Sequence, residues 1–552
     1  MNQPEPQALS FSTLISDIEK GTIKLPQFQR DFVWTKQKSA KLLDSIVKGY
    51  PIGTFILWKT KEKLRSIRNL GSAQLPDTPE GDFIQYILDG QQRLTSLYAS
   101  IKGLKIKRDG RTDDYSEIFI DLSANEDSNV VVTDISESEN DKNRLIKVTD
   151  LLNKGIKFFS KYPAELHDKI DDYKLRIKSC SFSAILLKEV SLDSATEIFT
   201  RINVTGNPLS VFEIMVAKTF DAGKEFDLSE KYNELIERLK EVDYESISNI
   251  TVLQTVSVLL SKECSKKQLL KLDKKKFIEI WDDTVDAIER TVDYFRSVYR
   301  IPVSKLLPYN ALIIPFAYFF YRHPDKPTGD SQRYLQDFFW RCSLSARYSS
   351  ALESKIAQDI KRIDIIIKDR SPKYDYPVDV NPDFIKNNGW FSAGRSFIKA
   401  ILCIFCYHQP KSFIDDSLVQ ISNDWLKQAN SRNYHHFFPK AYLKKEGKDE
   451  SVINHIVNIC LVDDFLNKRV IHSQKPSKYM KSFQKQNKNL NSTMKSHLID
   501  LDKFKVWNDN YDIFFDKRAK AISNELKERI IPQDIDKKGL IENINDYDES
   551  DT

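Results

Sequence analysis

The sequence predicts a multidomain α+β protein: an N-terminal α/β domain over residues 1–222, a helical domain over 223–410, a small C-terminal domain over 411–532 and an acidic tail over 533–552. Three observations predict it. At roughly 100–200 residues per domain, 552 residues make several folding units. Strand-like and helix-like patterns alternate up to about Phe220 and then give way to long 3.6-residue periodicities. Positive charge gathers late in the chain, with 13 Lys or Arg against 5 Asp or Glu between Lys427 and Leu490, and 71 against 74 elsewhere.

Each element follows from local pattern. Ser39–Lys48 has helical spacing in Ala40, Leu43, Ile46 and Val47, and Gly49-Tyr50-Pro51 stops it. Thr54–Trp58 and Tyr86–Leu88 read as strands, and Asp89-Gly90 turns the chain into a helix over Arg93–Ile101. The polar stretch Ser123–Asn143 reads as a surface excursion. Tyr232–Val242, Val252–Ser261, Lys276–Tyr299, Tyr334–Ala346 and Ala351–Lys368 read as amphipathic helices. Gln533–Thr552, rich in Asp, Asn and Glu, reads as a frayed tail. Cys403 and Cys406 have no second pair nearby and lie in the apolar run Phe397–Tyr407, so they read as buried helix thiols.

Composition excludes several classes. With 41% hydrophobic and 11% aromatic residues the chain has the material for packed cores rather than disorder. The longest apolar run, Ala311–Phe320, is short and interrupted by Pro315, which argues against membrane insertion. Met1–Ser10 lacks the cationic start and apolar core of a secretory signal, and six Cys are too few for a disulfide framework. A reducing cytoplasm is the expected location.

The basic segment also concentrates histidine, holding His435, His436, His455, His472 and, just beyond it, His497, five of the eight in the chain. Cations there suit phosphate, and imidazoles bind metals and move protons near neutral pH. Tyr434-His435-His436-Phe437-Phe438-Pro439 is followed by Asn454-His-Ile-Val-Asn458 and, nine residues after Asn458, by Asn467. In a strand, adjacent side chains point to opposite faces, so one His can hold an ion while the other faces substrate. Asp463–Ile471 has helix-compatible composition, which would let the Asn467 amide oxygen join His435 at a cation.

This string resembles the His-Asn-Asn variant of the HNH nuclease, or ββα-metal, motif. The resemblance implies a C-terminal ββα-metal domain within a helical surround, with His436 as the general base that activates water and Asn458 as the residue that fixes the loop and orients the base. It implies His435 and Asn467 as ligands of a divalent metal, Mg²⁺ or Mn²⁺. Family members often carry an acidic residue where His435 stands, and a neutral ligand there weakens Mg²⁺ binding and leaves the ion's identity open. Lys440, Lys468, Arg469, Lys475 and Lys478 are the expected DNA contacts.

Near the N-terminus, Ile87-Leu-Asp89-Gly90-Gln91-Gln92-Arg93-Leu reads as strand, turn and helix start. Gly90 permits close backbone approach, the helix start presents N–H groups, and Arg93 offers a planar fork, which together describe an anion cradle. The string closely resembles the DGQQR motif of the ParB-like domain of GmrSD-type restriction proteins. Leu25-Pro-Gln-Phe-Gln-Arg30-Asp-Phe-Val-Trp34, Gly49-Tyr-Pro-Ile-Gly53 and the segment Ile198–Ser210 are similar to further parts of that family. The resemblance implies a ParB/sulfiredoxin-like fold that binds a nucleoside triphosphate through Asp89, Gly90, Gln91, Gln92, Arg93 and Arg30. Residues 89–93 contain no Cys, which excludes sulfiredoxin chemistry.

Together these resemblances imply a nucleotide-regulated, metal-dependent HNH endonuclease that defends against modified or phage DNA, with NTPase activity as an option of its first domain. The partners implied are DNA, a nucleoside triphosphate, and either a second copy of the chain or another protein of a defence system. The alternative is a nucleotide-sensing DNA-binding regulator with an inactive HNH region; the full set His435, His436, Asn458 and Asn467 favours the enzyme.

Overall fold

The computed structural model describes residues 4–537 apart from 27–31, 62–72, 74, 80, 109–110, 126–127, 134–143, 203–209, 222, 424–433 and 463–472. Arg30, Asn467, Lys468, Arg469, His472 and the expected helix at 463–471 therefore lie outside the described residues. Contacts divide the chain into two compact units, residues 1–228 and 229–552.

The first unit is built on strands β1 (Glu5–Ser10), β2 (Ile23–Lys24), β3 (Phe55–Thr60), β4 (Ile84–Asp89), β5 (Lys105–Arg108), β6 (Arg111–Asp114), β7 (Phe119–Asp121), β8 (Val131–Val132), β9 (Leu145–Lys147) and β10 (Ser181–Lys188). Its main sheet runs β1-β10-β3-β4-β2. The β10–β3 and β2–β4 pairs are parallel, and β1–β10 and β3–β4 are antiparallel. Helices α1 (Phe11–Glu19), α2 (Lys36–Val47) and α3 (Gln91–Lys102) bury Ile18, Leu43 and Leu97 in one core with Leu57, Ile87 and Phe182 from the sheet. Ser10 and Thr35 cap α1 and α2 by accepting from Thr13 and Lys38 N–H, which sets where each helix starts.

The expected surface excursion at 123–143 needs correction at Val130–Val132, while residues 126–127 and 134–143 lie outside the described residues. Val130 and Val131 are buried, β8 joins a small sheet in the order β8-β7-β9, and the Asp44 carboxylate on α2 accepts from Val130 N–H at 2.7 Å and Val131 N–H at 3.1 Å. A side chain far off in sequence thus satisfies this backbone, a tie that local polarity does not reveal.

Residues 229–552 form one compact unit. The reason is a shared interior. Helix Tyr511–Lys527 packs on Pro382–Asn388 and on Ser396–Tyr407. From it the fully buried Arg518 donates to the carbonyls of Val457 (2.7 Å) and His497 (3.0 Å), with its guanidinium over Phe405. The expected helices appear at Leu228–Lys240, Asn249–Ser261, Gly329–Leu344 and Leu352–Ile366, while the one expected over 276–299 is interrupted at Ile280, between Lys274–Glu279 and Trp281–Ser297. Cys403 and Cys406 are buried in Ser396–Tyr407. The tail does not fray at 533, because Asp536 accepts from both terminal nitrogens of buried Arg341 (2.9 and 2.7 Å) and from Val378 N–H (3.1 Å). Two short strands, β11 (Tyr434–His436) and β12 (Ile459–Leu461), pair antiparallel within this unit. Among the described residues no helix is long and apolar enough to cross a membrane.

Candidate active site

Strand pairing places the two histidines. His435 lies opposite Cys460 and His436 opposite Ile459, and alternation along β11 sends the two imidazoles to opposite faces. His435 is buried, at 3% exposure, while His436 is half-buried. Directly after them Phe437 and Phe438 pack on Phe514, with ring centroids 5.1 and 4.9 Å away, which anchors the end of the strand in the core.

Asn458 is fully buried and ties the loop that follows His436. Its Oδ1 accepts from Phe438 N–H (2.9 Å), its Nδ2 donates to the carbonyls of Phe438 (3.0 Å) and Ile453 (3.1 Å), and its own carbonyl accepts from Phe437 N–H (2.8 Å). These contacts are all to backbone. Through them Asn458 shapes the loop.

His436 Nε2 lies 3.0 Å from Asn454 Oδ1. Burial pushes the His436 pKa down to about 4, with Lys440 adding to that effect and the Asn454 contact and Glu450 opposing it. The imidazole is therefore neutral at neutral pH, with a lone pair able to take a proton.

Two other histidines, His455 and His497, bond to backbone groups. His455 Nδ1 accepts from Val457 N–H (3.1 Å) and its Nε2 lies 3.1 Å from the Lys386 carbonyl. His497 Nε2 lies 2.8 Å from the Lys411 carbonyl, with the ring against Phe413. Burial lowers both pKa values to about 4.

Of the expected DNA contacts, Lys440 opens helix Lys440–Lys445, Lys475 precedes helix Pro476–Gln486 and pairs with Asp509 at 3.2 Å, and Lys478 is exposed on that helix. The hairpin thus brings His435, His436 and Asn458 together, and Lys440 follows by four residues. Among the described residues no three His, Cys, Asp or Glu side chains converge as a metal site, and of the expected ligand pair only His435 is described.

In the first unit, β4 delivers Asp89, Gly90 takes the left-handed conformation (φ 97°), and α3 begins at Gln91 without a side-chain cap. Gln91 and Gln92 are buried, and Gln92 Oε1 accepts from Val33 N–H at 2.9 Å. Arg93 does not present an open fork. Its Nη1 donates to the Ile52 carbonyl (2.8 Å), and its Nη2 donates to the Thr54 carbonyl (2.9 Å) and to Asp89 Oδ2 (2.9 Å). Gly53, at φ +86°, makes this possible, since a Cβ there would lie 2.3 Å from Arg93 Nη1. Arg93 therefore clamps the turn Gly49–Thr54 to the sheet. Beside that turn opens a cleft of about 660 Å³, lined also by Arg176, Ser179 and Ser183.

This strand, left-handed turn and uncapped helix lie within a segment that has a counterpart among known proteins. Residues 11–220 match the GmrSD restriction endonuclease, N-terminal domain. The GmrSD-type segment includes the Arg93 clamp and the cleft, and it ends close to the boundary of the first unit. The chain is also 26% identical over 596 residues to the uncharacterized protein MJ0686 of Methanocaldococcus jannaschii, an alignment covering 94% of this chain and 98% of that protein.

Sequence reasoning passed over Asn454, which it quoted without a role, and the partners that hold it. The one local hint is its position four residues before Asn458; its contact with His436 spans 18 residues and follows no periodicity.

Proposed function

We propose that the chain is a restriction-type endonuclease that hydrolyses DNA phosphodiester bonds in its C-terminal unit. The observation that carries this is His436, a neutral imidazole on a short hairpin whose loop is pinned by buried Asn458, in a chain whose residues 11–220 match the N-terminal domain of GmrSD restriction endonucleases.

His436 takes a proton from water, and the resulting hydroxide attacks phosphorus. The His435 imidazole and the Asn467 amide oxygen are a donor set that Mn²⁺ or Mg²⁺ accepts, and a bound ion would neutralise charge on the scissile phosphate. Lys440, Lys475 and Lys478 contact the DNA backbone, with Lys468 and Arg469 expected to add to them. The first unit binds a nucleoside triphosphate at Asp89, Gly90, Gln91 and Gln92, joined by Arg30. Arg93 supports that site through the clamped turn. The setting is cytoplasmic defence against foreign DNA.

The test is plasmid nicking by the full chain across divalent metals, with and without each nucleoside triphosphate, on modified and unmodified DNA. Parent activity should fall about 10²–10⁴-fold in His436→Ala, with DNA binding retained. Cleavage by that variant at the parent rate would overturn the assignment, and DNA binding without cleavage under every condition would favour the inactive regulator.

A further inference from the structure

We propose that Asn454 is the positioning residue of His436: it fixes the tautomer and the ring angle that make Nδ1 the proton-accepting atom. The proposal rests on reading His436 as the base.

Asn454 is held from two sides. Its Nδ2 donates to the Phe391 carbonyl at 3.2 Å, and its own carbonyl accepts from Phe391 N–H at 2.9 Å. A carbonyl only accepts, so the amide nitrogen must face Phe391 and Oδ1 must face the histidine. Oδ1 likewise only accepts, so the His436 nitrogen 3.0 Å away, Nε2, carries the hydrogen. In a neutral imidazole the lone pair then sits on Nδ1.

The segment that orients Asn454 is itself fixed. Ile456 N–H donates to the Gly389 carbonyl (2.8 Å), Trp390 bridges to His455, and the Phe391 ring meets Tyr434 edge-on with centroids 4.9 Å apart. Arg395 Nη1 donates to the carbonyls of Asn388 and Trp390 (both 3.0 Å). Gly389 fits so tightly that a Cβ there would lie 2.4 Å from His455 Cε1. A loop more than forty residues before the hairpin therefore determines which nitrogen of His436 is basic.

In the reaction, an O–H bond of water breaks and its proton goes to Nδ1, while the water oxygen forms a bond to phosphorus. The bond from phosphorus to the leaving oxygen breaks, and that oxygen keeps the electron pair and takes a proton from solvent. His436 becomes a cation whose Nε2–H still donates to Asn454 Oδ1, a contact that strengthens as charge develops.

The experiment uses the full chain labelled with ¹⁵N in its histidine rings, metal-free at pH 7, with His436→Ala identifying the His436 signals. The expected parent spectrum shows the Nε2–H tautomer. In Asn454→Ala these signals should move to values of mixed tautomers, and nicking should lose about 10–100-fold in kcat with KM within twofold. Asn454→Asp keeps an acceptor toward Nε2 and should recover part of both. A parent His436 in the Nδ1–H tautomer, or Asn454→Ala with tautomer and kcat unchanged, overturns the proposal. A parent with the expected tautomer and no nicking supports the positioning role and refutes the nuclease reading. If Asn454→Ala does not fold, the parent spectrum and the Asp variant still decide.

Discussion

Replacing Arg93 by Ala separates two physical roles for one guanidinium. As an open phosphate fork, Arg93 would contribute to nucleotide affinity and little to folding. As the clamp seen here, it makes three bonds from a side chain that is 16% exposed, two to carbonyls of the Gly49–Thr54 turn and one to Asp89. Hydrogen bonds to charged groups are worth about 1.5–3 kcal/mol each in isolation, but the three share one side chain and Asp89 is more than a third exposed, so they do not add. The expected loss is about 2–4 kcal/mol, which includes the cost of leaving the Ile52 and Thr54 carbonyls without their donor. Arg93→Lys keeps the charge but cannot reach three acceptors at once, and should recover less than half. Denaturant unfolding of the full chain, together with hydrogen exchange followed by mass spectrometry, reads both effects. Peptides covering residues 49–54 should exchange faster in Arg93→Ala, while peptides of the hairpin at 434–461 stay as in the parent. The cleft beside the turn should lose its shape, so nucleotide affinity falls as a consequence of the loosened turn. Unchanged stability and exchange, with a tenfold or greater loss of nucleotide affinity, would refute the clamp and restore the fork.

Two further outcomes follow from the same reasoning. Asn458→Ala removes three side-chain bonds at a fully buried site and strands one N–H and two carbonyls, which should cost about 3–5 kcal/mol in denaturant stability of the second unit and abolish nicking; retention of parent stability would show that the loop is held elsewhere. His455 and His497 have folded pKa values near 4, lowered by burial from 6.5, so between pH 6.5 and 4 the unfolded chain binds protons that the folded chain does not. Stability is therefore full above about pH 6.5 and falls as pH drops toward 4, by up to about 1.4 kcal/mol per pH unit for each imidazole. Urea midpoints across that window check it, and a His497→Gln variant with an undiminished slope would remove His497 from the account.

How much was legible in the sequence depends on where the information lies. The elements nearest the candidate sites could be read because their signals are local. Phe55–Thr60 and Ile84–Asp89 alternate or run apolar over strand lengths, Gly90 punctuates, and Leu94 and Leu97 repeat at helical spacing. The His435-His436 pair could be placed on opposite faces from strand geometry alone. What could not be read are side chains that satisfy backbone groups far away in sequence: Asp44 on Val130 and Val131, Asp536 on Val378, Arg93 on Ile52 and Thr54, and Asn454 on Phe391. Each is a polar or charged residue whose local pattern equally fits a cap, a solvated turn or a ligand. Arg93 shows the consequence most clearly. Its motif drew attention to Arg93, but a guanidinium beside a glycine-rich turn can serve a phosphate or a carbonyl with the same atoms. Gly53, 40 residues earlier, leaves the space in which the guanidinium reaches the Ile52 and Thr54 carbonyls, since a Cβ there would lie 2.3 Å from Arg93 Nη1.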